Sequence, residues 1–220
     1  VEGLAGGALL VDMGSSDPRA YPEIEQALRA RGAQMIDAPV SGAVTGAEAG
    51  TLTIMAGGDS DAVGRAEPLF QLVGKRVFRT GALGTGQAMK ALNNLASAGA
   101  FLVTIEVLLI GQRAGLDPGL MTEILNVSTG RNNSTDKKIF PHVLSRKFDS
   151  GFSLALMAKD LGTAAGLAES TNTASVYAEQ TLEAARAALA TLGPDADHTA
   201  IARWVEGRVG EELHPSEPKG

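Results

Sequence analysis

The chain has 220 residues, 44% of them hydrophobic and 20% charged, with a formal net charge of −6. That composition is globular, and its acidity offers a nucleic acid no basic footprint. There is no cysteine, which excludes disulfides, zinc–thiolate centres, iron–sulfur clusters and a cysteine nucleophile. In chain order, Ala8 to Met13 is short, apolar and glycine-bounded, the pattern of a buried parallel strand. Ser15-Ser16-Asp17-Pro18 supplies capping side chains and an early proline, so a helix is expected from there to about Arg31, stopping at Gly32. Strands follow at 34–38 and 51–56, with a polar glycine loop between them. Asp59 or Ser60 caps a helix ending near Val73, and Arg76-Val77-Phe78 is a last short strand. This alternation predicts an α/β layer over residues 1–82.

Beyond Gly84 no strand is expected. Leu92, Leu95, Leu102, Ile105 and Leu109 recur at helical spacing within 87–114. Asp117-Pro118 opens another helix. Residues 129–136 read as a polar loop, followed by helices near 136–146, 153–170, 173–192 and 196–209. An all-helical domain is thus expected over 83–210, and a disordered tail over 211–220. The three histidines, His142, His198 and His214, lack metal-ligand spacing, so no metal site is expected. The longest apolar run, near 98–110, contains Thr104 and Glu106 and is short for a membrane span. No secretory signal is visible, and the expectation is a cytoplasmic protein without a membrane partner.

The chemistry-bearing residues are few. Lys90 and Asn94 stand at i and i+4, on one helix face. Lys90 is either a solvated lysine or, among Ala88, Met89, Ala91 and Leu92, an enclosed amine able to exchange a proton near neutral pH. Ser41-Gly42, after a strand, is either a turn or a carboxylate cradle of backbone N–H groups and a hydroxyl. Lys159-Asp160 is either a surface ion pair of small value or, within the mostly apolar segment 152–165, a pair in which Lys159 has a buried role. Arg131 to Ser134 read as solvated, and Met55, Phe70, Phe101 and Trp204 as core. Gly81, Gly84 and Gly86 are out of register with Gly-x-Gly-x-x-Gly. Gly3, Gly6 and Gly7 precede a strand instead of following one. Both sets read as turns.

These motifs resemble one family. Asp37-Ala38-Pro39-Val40-Ser41-Gly42, with Gly46-Ala47, Gly50-Thr51-Leu52 and Gly57-Gly58, is similar to the substrate loop of the β-hydroxyacid dehydrogenases, the group of 3-hydroxyisobutyrate dehydrogenase and tartronate semialdehyde reductase. Gly84-x-Gly86-x-x-x-Lys90-x-x-Asn93-Asn94 resembles their catalytic segment. Phe152 to Leu161 resembles their C-terminal cofactor and substrate motif. The resemblance implies the C-terminal part of a Rossmann-type NAD- or NADP-binding domain over 1–82, then a 6-phosphogluconate-dehydrogenase-like helical domain. It implies Lys90 as general acid/base, Asn94 holding the substrate, Ser41, Gly42 and Ala43 binding its carboxylate, and Lys159 near the nicotinamide. Hydride would pass between NAD or NADP and a small β-hydroxyacid substrate, in a homo-oligomer, dimer or tetramer.

Two departures stand out. Ala43 occupies a position where the family commonly has glycine, an effect expected to be mild if its φ is negative. The strand–glycine–helix fingerprint that the family carries first is missing, so the chain reads as N-terminally truncated and is expected to bind dinucleotide poorly by itself. The alternatives are a non-catalytic interaction or oligomerisation homologue, and a reductase of another aldehyde acid such as succinic semialdehyde.

Overall fold

The computed structural model describes residues 3–214. They fall into two compact units, divided between Asn93 and Asn94. The division lies within a helix.

The first unit is a five-stranded mixed sheet with helices. Strand β1 (Leu9–Asp12) pairs in parallel with β2 (Gln34–Asp37). Their crossover is a short 3-10 turn, Pro18–Ala20, capped by the Asp17 side chain, and then α1 (Tyr21–Arg29). β3 (Val40–Ser41) pairs antiparallel with β4 (Leu52–Gly57). β4 continues through α3 (Ser60–Val73) to a parallel β5 (Gly74–Gly81). Asp59 caps α3 by accepting from the amides of Asp61 and Ala62. The core beneath β2, β4 and α3 is built from Ile36, Ile54, Ala62, Val63 and Phe70.

Two expectations for this unit fail. β1 is an edge strand and only half-buried, with Leu10 exposed; an apolar run does not by itself distinguish an edge from a centre. The polar loop before β4 contains a helix, α2 (Ala43–Glu48), closed by the bond from the Gly46 amide to the Gly42 carbonyl. At six residues it is too short to show a helical period.

Helix α4 (Thr85–Arg113) runs through the division. Its first turns belong to the first unit because the amides of Gly84 and Gln87 donate to Asp37, each at 2.7 Å. It is 29 residues long and contains an 18-residue window with a mean hydropathy of 1.8, the length and composition of a membrane-crossing helix, more than the apolar run alone suggested. In the second unit Phe101, Ile105, Leu108 and Leu109 of α4 instead form the centre of a core with Ile139, Leu154, Leu161, Ala185 and Ile201.

The second unit is helical: α5 (Pro118–Asn126), α6 (Asn133–Lys137), a π-helical turn at Ile139–Leu144, α7 (Leu154–Ser170), α8 (Val176–Leu192) and α9 (Ile201–Val209). The expected loop at 129–136 is partly α6. Asn132 and Thr135 close a reciprocal cap at its start, and Ser134 and Thr135 are buried. The expected disordered tail is ordered at its beginning. Leu213 is fully buried, its amide donates to Glu206, and Gln112 donates to Glu211 and to the Glu212 carbonyl. Residues 215–220 lie outside the described residues.

Candidate functional site

Asp37 organises the first unit. It ends β2 with no solvent exposure and places its carboxylate at the N-terminus of α4. Burial raises its pKa, against the pull of the Gly84 and Gln87 amides. The two glycines of Gly84-x-Gly86 serve this approach. A Cβ on Gly86 would fall on the Met55 carbonyl and lie 2.8 Å from Asp37 Oδ2. Gly84 has a φ of +90°. The helix N-terminus that might have received a phosphate already holds a carboxylate. Gln87, also buried, ties the same turn to the loop after β1: its Nε2 donates to the Gly14 carbonyl and its Oε1 accepts from the Ser16 amide. Tyr21 donates its hydroxyl to Asp12 at 2.8 Å, and its own pKa rises through burial and through that carboxylate.

Ser41 lies on β3, half-buried and opposite Thr53 of β4. Gly42 has a φ of +139°, and a Cβ there would sit 3.0 Å from Leu52 Cδ2, so glycine is required. Ala43 has a φ of +55°. The condition for a mild departure is therefore not met. Alanine is held in the left-handed region, at a cost of roughly 1 kcal/mol.

Lys90 is half-buried on α4. Asn94 follows one turn later on the same face, also half-buried. The Asn94 Nδ2 donates to Asp160 Oδ2 at 2.6 Å, and Lys159 Nζ lies 2.8 Å from Asp160 Oδ1. The order of burial in this pair differs from the expectation: Asp160 is buried and Lys159 exposed. Asp160 thus fixes the Asn94 amide from one side and the Lys159 ammonium from the other. Its signal in the sequence was an acid inside the mostly apolar stretch 152–165.

Lys138 also escaped the sequence reading. It caps the C-terminus of α6, extends over the Phe101 ring at 5.3 Å from its centroid, and donates to Ser97 Oγ at 3.1 Å. Burial pulls its pKa down to about 8. Beside it, His198 is buried, with Nδ1 within 2.9 Å of Ser150 Oγ. Burial and the charge of Lys138 push its pKa down to about 4. No group of three or more potential metal-ligating side chains exists among the described residues.

A dinucleotide fits this chain only in part. The strand–glycine-turn–helix that cradles a pyrophosphate is absent from the sequence, and the glycine pair at α4 is occupied by Asp37.

Comparison with known proteins places these features. Residues 84–205 match the family described as NAD-binding of NADP-dependent 3-hydroxyisobutyrate dehydrogenase. Residues 1–81 match the NAD binding domain of 6-phosphogluconate dehydrogenase. The chain is similar to mitochondrial 3-hydroxyisobutyrate dehydrogenase of Mus musculus, 42% identical over 173 residues, which is 76% of this chain and 52% of that protein. It is similar to NAD-dependent L-serine dehydrogenase of Pseudomonas aeruginosa, 40% identical over 167 residues, 73% of this chain and 56% of that protein. The chain spans about half the length of these curated relatives. A solved structure of Mycobacterium tuberculosis 3-hydroxyisobutyrate dehydrogenase with L-serine superposes with a TM-score of 0.82, at 28% identity, over 91% of this chain and 70% of that one.

Proposed function

This chain belongs to the β-hydroxyacid dehydrogenase family, and we propose from that premise that it serves oxidation of a small β-hydroxyacid with NAD or NADP. The two acids after which its relatives are named, 3-hydroxyisobutyrate and L-serine, share the group HOCH2–CH(R)–COO−. That group defines the substrate class. R is a methyl in one and an ammonium in the other, and R is where specificity is set.

The observation that carries the reading is the Lys90–Asn94 pair, with the Asn94 amide fixed by the buried Asp160. Lys90 takes the hydroxyl proton during oxidation and returns it during reduction. Asn94 holds the hydroxyl oxygen in line with that exchange. The hydroxyl of Ser41 and the amides of Gly42 and Ala43 hold the carboxylate. A bound NAD or NADP would supply the hydride acceptor for the hydroxyl-bearing carbon. Lys159, anchored by Asp160, is assigned to the nicotinamide side.

Initial rates of the full-length protein test this. The acids are 3-hydroxyisobutyrate, D-glycerate, L-threonate and 4-hydroxybutyrate, each with NAD and with NADP. One acid should turn over, and Lys90→Ala should lower kcat about 100- to 10,000-fold while the fold persists. An unchanged kcat in that variant would remove Lys90 from proton transfer. No turnover on any acid would favour the non-catalytic alternative.

A further inference from the structure

Lys90 belongs to the first unit, although most of α4 belongs to the second. The cradle at Ser41 to Ala43 lies in that first unit too. Where Lys90 stands relative to the cradle therefore depends on how the first turn of α4 is held. One anchor is the Asp37 carboxylate at the end of β2, which accepts from the amides of Gly84 and Gln87. A single carboxylate is one point of attachment, about which a helix can still tilt. A second anchor is the Gln87 carboxamide, 1% exposed, which uses both its ends on one loop. Its Nε2 donates to the Gly14 carbonyl at 2.9 Å, and its Oε1 accepts from the Ser16 amide at 3.0 Å. That loop is itself held. Asp12, at the end of β1, accepts from the Gly14 amide at 2.9 Å and from the Tyr21 hydroxyl at 2.8 Å. Asp17 caps the 3-10 turn that follows.

Gln87 thus joins the end of β1 to α4 as Asp37 joins the end of β2. Stability alone does not call for an amide here. An apolar side chain would fill the same space without the cost of taking a carboxamide out of water. What the amide adds is a fixed distance and rotation between loop and helix. Gln87 and Lys90 stand at i and i+3, on one helix face. Resting on the hydroxyacid reading above, we propose that Gln87 is a positioning residue for proton transfer: by clamping the loop at 14–16 to the first turn of α4, it aims the Lys90 amine at the substrate hydroxyl. Gln87 itself touches no reacting atom. Proton exchange needs its two heavy atoms about 3 Å apart, and an error of about 1 Å costs on the order of 100-fold in rate.

The test is Gln87→Met in the full-length protein, assayed on the acid that the wild type turns over best. Methionine fills the volume and makes neither hydrogen bond. Gly14 is exposed and Ser16 half-buried, so water can take up their released groups and the variant should fold. Its kcat should fall about 10- to 100-fold. The dissociation constant of isobutyrate, which has the carboxylate without the hydroxyl, should change less than about twofold with the oxidised cofactor present. A merely structural role would lower the melting temperature and leave kcat per folded molecule as it was. That result would overturn the proposal, and so would isobutyrate binding weakened as much as kcat. Hydrogen exchange reads the clamp without turnover: the Ser16 amide should be protected in the wild type and exchange at least about tenfold faster in the variant. Unchanged protection would sink the clamp whether or not the protein is a dehydrogenase. A wild type inert on every acid, with that amide protected, would bring down the hydroxyacid reading and the proton-transfer role together while the clamp stood.

Discussion

Backbone space at single residues decides where α4 can begin. Asp37 must reach two α4 amides while Met55 of β4 passes the same point, and Gly86 alone leaves room for both. Gly57 faces the same constraint, since a Cβ there would lie 2.6 Å from Asp37 Oδ1 and 2.7 Å from the Ala82 carbonyl. Gly86→Ala should therefore cost more than helix propensity suggests. Propensity alone would favour alanine by about 1 kcal/mol. The clash is with backbone and a hydrogen-bonded carboxylate, neither of which can move cheaply, and a net loss of roughly 3 kcal/mol or more is expected. Urea unfolding of the two proteins measures it. A variant as stable as the wild type would show that α4 can shift away from Asp37. Gly84 and Gly86 were visible in the sequence and were read as a turn; Gly84 lies in one, but Gly86 belongs to the first turn of α4. The carboxylate that explains them stands some fifty residues earlier, and spacing alone gave no reason to join the two.

At the scale of elements, the link between α6, the loop before α7 and the start of α9 has a pH-dependent stability. His198 lies in the 3-10 turn leading into α9, with Ser150 and the Phe152 carbonyl at its Nδ1 and the rings of Phe101 and Phe152 around it. Its folded pKa, about 4, is below the 6.5 of a free histidine. Between those values the unfolded chain binds a proton that the folded chain refuses, so stability falls as the pH drops from 6.5 to 4. The full loss is about 3 kcal/mol. Asp197, whose pKa is lowered by Thr199, Ser150 and His198 against the effect of burial, acts below its usual 3.8 and outside this window. Lys138, at about 8, acts above it. Urea midpoints at pH 7 and pH 4.5 should separate widely in the wild type and much less in His198→Gln. Equal separations would show that another group controls the slope. The long helices here, α4, α7 and α8, were legible because each is long enough to repeat its period. The short ones were not. α2 has six residues, and α6 starts with a cap that uses Thr135 where Glu or Gln gives the familiar sign. The Lys159–Asp160 pair was seen, but which member is buried depends on α7 packing its Asp160 edge inward, and two adjacent charges do not disclose that.

For the whole molecule, the helical unit leaves apolar surface that its own core does not use. Phe101, Ile105 and Leu108 of α4 are fully buried, while Val103, Val107 and Ile110 form a second stripe that is exposed. Leu116 before α5, Leu120 and Ile124 on it and Val127 just after it add another exposed row, and Tyr177 on α8 is 83% exposed. Scattered apolar residues need no explanation, but rows at helical spacing do. Glu106 interrupts the α4 stripe and limits what can cover it to a surface with a matching polar group. This arrangement supports the expectation of a homo-oligomer. Sedimentation velocity across a hundredfold range of concentration should show the protein associating. Val103→Glu with Ile110→Glu should shift it to the monomer, because two carboxylates would have to lose water against apolar partners, at a cost of several kcal/mol. Both positions face solvent, so the variant monomer should keep the helical content of the wild type. A wild-type protein that sediments as a monomer throughout that range would leave these rows without a partner of their own kind.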